Sequence, residues 1–253
     1  IGKGNKMAIN RPFIVLFGWV ILAVLMGIGS SNLFFRGDFR VYFEETNPQF
    51  VDFNNVQNAF SKSENVSFLV VPESKNVFSQ RTIELLIELT DMAWQTPMSS
   101  RAQSLINHQH TYSEYDDLIV EDLVFDADLR EEDFARIRQI ALDSPELNNR
   151  LVSTKGDVAV VDVIVNMPED KQTESVAEIA QYARSVRDEI EKKYPDHKVY
   201  LSGIVMMNYA FAEEAQKDAS TLVPIMFLVI AVTIAILSRS VLASITTMVV
   251  VAL

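Results

Sequence analysis

The sequence predicts an α+β protein, a split β-α-β (ferredoxin-like) domain held outside a membrane by flanking transmembrane helices. Three observations predict it. Long uncharged apolar runs stand near both ends of the chain, the charge is confined to the middle, and that middle alternates short β-branched runs with amphipathic helical stretches.

The first apolar run extends from Pro12 to Phe35, 24 residues without a charge between Arg11 and Arg36. As a helix it reaches roughly 36 Å, enough for a hydrocarbon core of about 30 Å. The second runs from Ala219 to Ser238, 20 uncharged residues bounded by Asp218 and Arg239. A third begins at Val241 and reaches Leu253 after 13 residues, short of a full crossing. The expected organisation is therefore a tail and first transmembrane helix over 1–35, an outer domain over 36–218, a second transmembrane helix over 219–239 and the truncated start of a third over 240–253.

All 34 acidic residues and 18 of the 22 basic ones lie from Arg36 to Asp218, which gives that segment a net charge of −16. The other four basic residues, Lys3, Lys6, Arg11 and Arg239, flank the two spans on one side. The positive-inside rule then puts both chain ends in the cytoplasm and 36–218 outside. A cleavable signal peptide is the alternative for the first run, but its apolar core exceeds the roughly 7 to 15 residues usual for one, and no A-x-A site follows. With no cysteine the outer domain relies on an ordinary core, and its acidity argues against nucleic acid as a partner.

Within the outer domain, Phe50, Phe53, Val56 and Phe60 recur at helical spacing after Asn47-Pro48, predicting a helix with one buried face. Val66 to Val71 reads as a buried strand stopped by Pro72. Ser79 to Gln95 is a helix with Ser79 as N-cap and Ile83, Leu86, Ile87, Leu89, Thr90 and Ala93 on its apolar face. Ala102 to Ile106 reads as a second strand, Thr111 to Asp128 as an irregular excursion, and Glu131 to Leu142 as a helix. Leu151 to Thr154 and Val158 to Val165 flank the turn signal Lys155-Gly156-Asp157 and predict a hairpin. Thr173 to about Tyr194 is a long amphipathic helix ended by Pro195. Val199 to Leu201 closes the sheet before Ser202-Gly203, and a helix from Ile204 to about Lys217 feeds into the second span without a break.

Chemistry-bearing motifs are few. His108-Gln109-His110 would face one way on a strand, and Glu114, Asp116 and Asp117 are near in sequence, yet solvated loop histidines account for them and no metal site is assigned. No G-x-S-x-G elbow and no phosphate-binding glycine loop occurs, so neither a hydrolase nor a nucleotide-binding enzyme is expected, and no cofactor. Asn65-Val66-Ser67 fits a glycosylation pattern but overlaps a buried strand, and is expected to be unmodified.

The basic tail and first span, the split β-α-β order, Asn149-Arg150-Leu151-Val152-Ser153 before the hairpin, Leu201-Ser202-Gly203, Asp218 followed by Leu222-Val223-Pro224-Ile225, and Leu237-Ser238-Arg239-Ser240 together resemble the N-terminal quarter to third of an exporter. The family is the resistance-nodulation-division (RND) superfamily, in its MMPL and Patched-like branch. The resemblance implies a porter-type outer domain. It also implies proton-driven export of hydrophobic or amphipathic molecules such as lipids, sterol-like compounds or drugs, and a bacterial inner-membrane, multi-pass setting. Partners implied are the remainder of the same chain, with a second porter domain and further spans, membrane lipids and a homo-oligomer. The family's proton-relay acidic residues belong to a fourth span, which this chain does not reach.

On that reading Met206, Met207 and Phe211 are substrate-path candidates, because methionine and aromatic surfaces adapt to varied apolar ligands. Core packing explains the same stripe. Asp218, at the mouth of the second span, either pairs with a basic group on another span or marks the membrane edge. The competing layout is a two-span receptor whose outer domain senses a ligand. The apolar run from Val241, in place of charged cytoplasmic helices, favours the transporter.

Overall fold

The computed structural model describes residues 43–44, 46–60, 64–124, 129–168 and 171–239, with Phe17, Ile21 and Thr247 as isolated positions. Apart from those three positions, the expected first and third apolar runs lie outside the described residues. The chain divides into two compact units, Gly37–Phe211 and Ile1–Arg36 with Ala212–Leu253.

In the larger unit, helix α1 (Pro48–Phe60) starts where Asn47 predicts, because the Asn47 side-chain oxygen accepts from the Gln49 N–H at 3.0 Å. Its apolar residues are not a buried face: Phe53 and Val56 are 41% and 57% exposed. Strand β1 (Glu64–Pro72) follows, then helix α2 (Gln80–Trp94), capped by Ser79, whose hydroxyl oxygen accepts from the Thr82 N–H. Strand β2 (Ser99–Gln103) lies three residues earlier than expected. Met98 at φ 60° turns the chain into it, and the Asn107 side chain ends it by bonding the Ala102 carbonyl and the Ser104 N–H, each at 2.8 Å. Leu105 is buried from that turn rather than from a strand.

The expected irregular excursion is instead a hairpin of strands β3 (Gln109–Glu114) and β4 (Asp117–Asp122) around Tyr115-Asp116. Its strands read as irregular because one face, Thr111, Ser113, Leu118 and Val120, is exposed, so no apolar alternation marks it. Helix α3 (Glu131–Asp143) is as expected, with the Asp133 carboxylate accepting from the Arg130 N–H at 2.9 Å.

Strand β5 (Ala159–Val165) forms, but Leu151 to Thr154 is not a strand and touches β5 only through a Val152–Ala159 bridge. β2 occupies the rest of that edge, from Asp162 to Val165. The turn itself holds: the Ser153 hydroxyl takes the Asp157 and Val158 N–H groups, and Gly156 adopts φ 70° against the Phe78 ring. Helix α4 (Gln172–Lys193) carries Lys192 and Lys193 in its last turn, where the helix dipole favours them. Strand β6 (His197–Ser202) leads through Gly203 into helix α5 (Ile204–Ser238).

The four-stranded sheet has the order β2-β5-β1-β6, and every pair is antiparallel. On β1 and β5 burial alternates strictly, so Val66, Phe68 and Val70 pack with Val161, Val163 and Val165 beneath Ile83, Leu86 and Leu89 of α2 and Ile179, Ala183 and Val186 of α4. Complete burial of the valine, leucine, isoleucine and phenylalanine side chains among these stabilises by about 1.5–3 kcal/mol each. The opposite face carries Asn65, Ser67, Val160 and Asp162, all half-buried.

In α5 the stretch Ile204–Leu237 is 34 residues with a mean hydropathy of 2.6 in its most apolar window, and among the described residues it alone is long and apolar enough to cross a membrane. Glu213, Glu214, Lys217 and Asp218 precede the apolar turns, and Pro224 lies within them.

Candidate functional site

The open face of the four-stranded sheet is the floor of a groove of about 1030 Å³, which extends over β2 to the foot of the β3–β4 hairpin. Its floor is polar because three open-face positions of β1 and β5 are not apolar. Asn65 and Ser67 alternate on β1, and Ser67 and Asp162 are register partners on β1 and β5. Their side chains form one network. The Ser67 hydroxyl donates to Asp162 Oδ1 at 2.5 Å, and the Asn65 amide donates to the same oxygen at 2.8 Å and to Ser67 Oγ at 3.2 Å. The Ser67 hydroxyl is thereby held as a donor to the Asp162 carboxylate. Trp94, Arg101, Gln103 and Arg150 line the walls.

A smaller cavity of about 500 Å³ lies between the hairpin's foot and the C-terminal end of α3, lined by His108, His110, Ile140, Asp143 and Glu146 among others. Burial holds the His108 imidazole below its ordinary range; Glu146 opposes this and His110 adds to it. His110 stacks on Tyr112 with ring centroids 5.4 Å apart. Glu114 and Asp117 are register partners at the turn, whereas His110 pairs with Glu121 near the foot. Residues 114, 116 and 117 thus belong to the far end of the hairpin. Among the described residues no group of three or more metal-ligating side chains assembles.

The substrate-path candidates separate on the first turns of α5. Met206 is half-buried and packs against the core, beside the fully buried Val205. Met207 and Phe211, 40% and 53% exposed, share one face of the helix at i, i+4 spacing. Tyr209 is instead covered by the Arg184 guanidinium, 4.8 Å from its ring centroid. Asp218 is exposed on the same helix, one residue before the uncharged run.

The Asn65–Ser67–Asp162 network was not singled out as a site from sequence. A signal for it exists in the lone carboxylate of Ala159–Val165, a strand that is otherwise alanine, valine and isoleucine.

No curated protein matches the chain. The sequence model of the MMPL family matches residues 52–253, or 202 of the 253 residues. With four fifths of its length matched and an apolar helix long enough to cross a bilayer, the chain belongs to the MMPL family, membrane proteins of RND-type, transporter-like function.

Proposed function

We propose that the chain is the N-terminal portion of a proton-driven RND-type exporter of hydrophobic or amphipathic molecules, and that residues 36–218 form its porter domain on the extracytoplasmic side of a bacterial inner membrane. The observation that carries this reading is the unbroken helix Ile204–Ser238, which starts at the last strand of the sheet and continues into an uncharged apolar stretch. A domain built on a helix of this kind is anchored at the bilayer, where amphipathic molecules concentrate. The strand order β2-β5-β1-β6, antiparallel throughout, supports the split β-α-β assignment.

In this reading residues 219–239 are the second span, and a first span over 12–35 and a third from 241 make the protein multi-pass. Met207 and Phe211 offer the path an adaptable apolar surface, while Met206 supports it from the core side. Asp218 sits at the membrane boundary. The chain works with the remainder of the transporter, which supplies a second porter domain and the proton relay, with membrane lipids around it and a homo-oligomer as its assembly. The role is transport rather than catalysis.

These 253 residues contain no cysteine, so once any cysteine in the remainder of the transporter is replaced, an introduced one reports alone. Single cysteines at Tyr115 and Lys3 in the full transporter are exposed to a membrane-impermeant maleimide on intact spheroplasts, and efflux of a fluorescent amphipathic dye is followed in the same cells. Labelling at position 115 but not at 3, with efflux that stops when the proton gradient is collapsed and weakens in Phe211→Asp, is the expected result. Labelling at position 3 would overturn the topology, and efflux indifferent to the gradient would overturn the mechanism.

A further inference from the structure

Gly203, between β6 and α5, has φ 103°, and a Cβ there would collide with the backbone carbonyl of Asn65. The start of α5 is therefore pressed against β1. At that contact the first N–H of the helix, that of Ile204, is met not by a residue just before it but by the Asn65 side-chain oxygen, 3.2 Å away and 139 residues distant in sequence. A helix leaves its first N–H groups without intrahelical partners, and here a strand supplies one.

The orientation of that amide is dictated from its other end. An ionised carboxylate only accepts hydrogen bonds, so Asp162 requires the Asn65 NH₂ group to face it, and the amide oxygen is left to face Ile204. The Ser67 hydroxyl donates to the same Asp162 oxygen. The geometry points to Asn65 as a positioning residue. We propose that Asp162 and Asn65 form a polarity-keyed latch that fastens the first turn of the apolar helix to the open face of the sheet. All four groups belong to the unit Gly37–Phe211, and the latch stands whether or not the chain exports anything. Under the exporter reading it ties the floor of the groove to the helix that enters the membrane.

The latch makes a prediction that ordinary packing does not. In Asn65→Asp two carboxylates meet and the amide donor to Asp162 is gone, the Ser67 hydroxyl remaining, whereas in the double variant Asn65→Asp with Asp162→Asn an amide donor returns from the opposite side and an acceptor still faces Ile204. Amide hydrogen exchange of the full chain in nanodiscs, resolved at residues 204–207, reads the outcome, and exchange at Val66 and Phe68 reports whether the sheet is intact. Asn65→Asp is expected to speed exchange at Ile204 about tenfold. The double variant is expected to return it to within about twofold of the parent, with Ser67→Ala close to the parent throughout. Exchange at 204 unchanged in Asn65→Asp, or as fast in the double variant as in the single one while Val66 and Phe68 stay protected, would overturn the latch. Should Asn65→Asp alone lose protection at Val66 and Phe68, the comparison of the double variant with the parent decides. Parent-like protection at 204 upholds the latch, and fast exchange there overturns it.

Discussion

The four-stranded sheet and the β3–β4 hairpin are both antiparallel, yet they are held by different forces. In the sheet every second residue of β1 and β5 is buried beneath α2 and α4, so a one-residue slip would drive Asn65, Ser67 and Asp162 into the core and expose Val66, Phe68 and Val161. In the hairpin Leu118 and Val120 are 72% and 53% exposed, and Tyr115 at the turn is 97% exposed with φ 56°. Its register rests on the two-residue turn and on cross-strand pairs, each worth only about 0.2–1 kcal/mol. Burial makes one region specific and stable, and its lack leaves the other local and tolerant of change.

The largest effect that would sharpen this contrast is at Phe68, completely buried on the central strand. Phe68→Ala is expected to cost about 3–5 kcal/mol, read as a lowered midpoint in denaturant unfolding of the detergent-solubilised chain by near-ultraviolet circular dichroism. Gly203→Ala comes next, at about 1–3 kcal/mol, because it combines a left-handed backbone with a clash against Asn65. The same unfolding curve checks it, and a neutral result would mean that the junction yields. Ser79→Ala removes the cap of α2 and should cost about 1 kcal/mol, whereas Ser79→Asp keeps an acceptor and should restore most of it. Leu118→Ser, on the exposed face of the hairpin, should stay within about 0.5 kcal/mol of the parent. A loss at Leu118 as large as that at Phe68 would break the comparison and reveal a partner for that face.

The same contrast governs how much could be read from sequence. Strand β1 and helices α2, α3 and α4 are legible to within a residue or two because burial imposes a period that composition records. The hairpin escaped because its exposed face carries Thr111, Ser113, Leu118 and Val120 in no apolar alternation, and such a strand looks like loop. Leu151 to Thr154 misled for the opposite reason. The segment is apolar enough for a strand, but β2 had taken the edge it needed. Of the candidate site residues, Met206, Met207 and Phe211 are proposed on composition alone, while their separation into one core-facing and two exposed side chains required the helix to be packed.

By itself the sequence determined the uncharged apolar stretch over 219–238, the charge partition along the chain, and the caps at Asn47 and Ser79, since each depends on neighbours within a few residues. Family membership was legible too, through short motifs in a fixed order. Only the tertiary structure decided the strand order, the edge that β2 occupies, and the meeting of Asn65, Ser67 and Asp162 with the first turn of α5. Residues 65, 162 and 204 are brought together by antiparallel pairing across more than ninety residues. Long-range register is set by which faces can be buried at once, a condition that no local stretch of sequence contains.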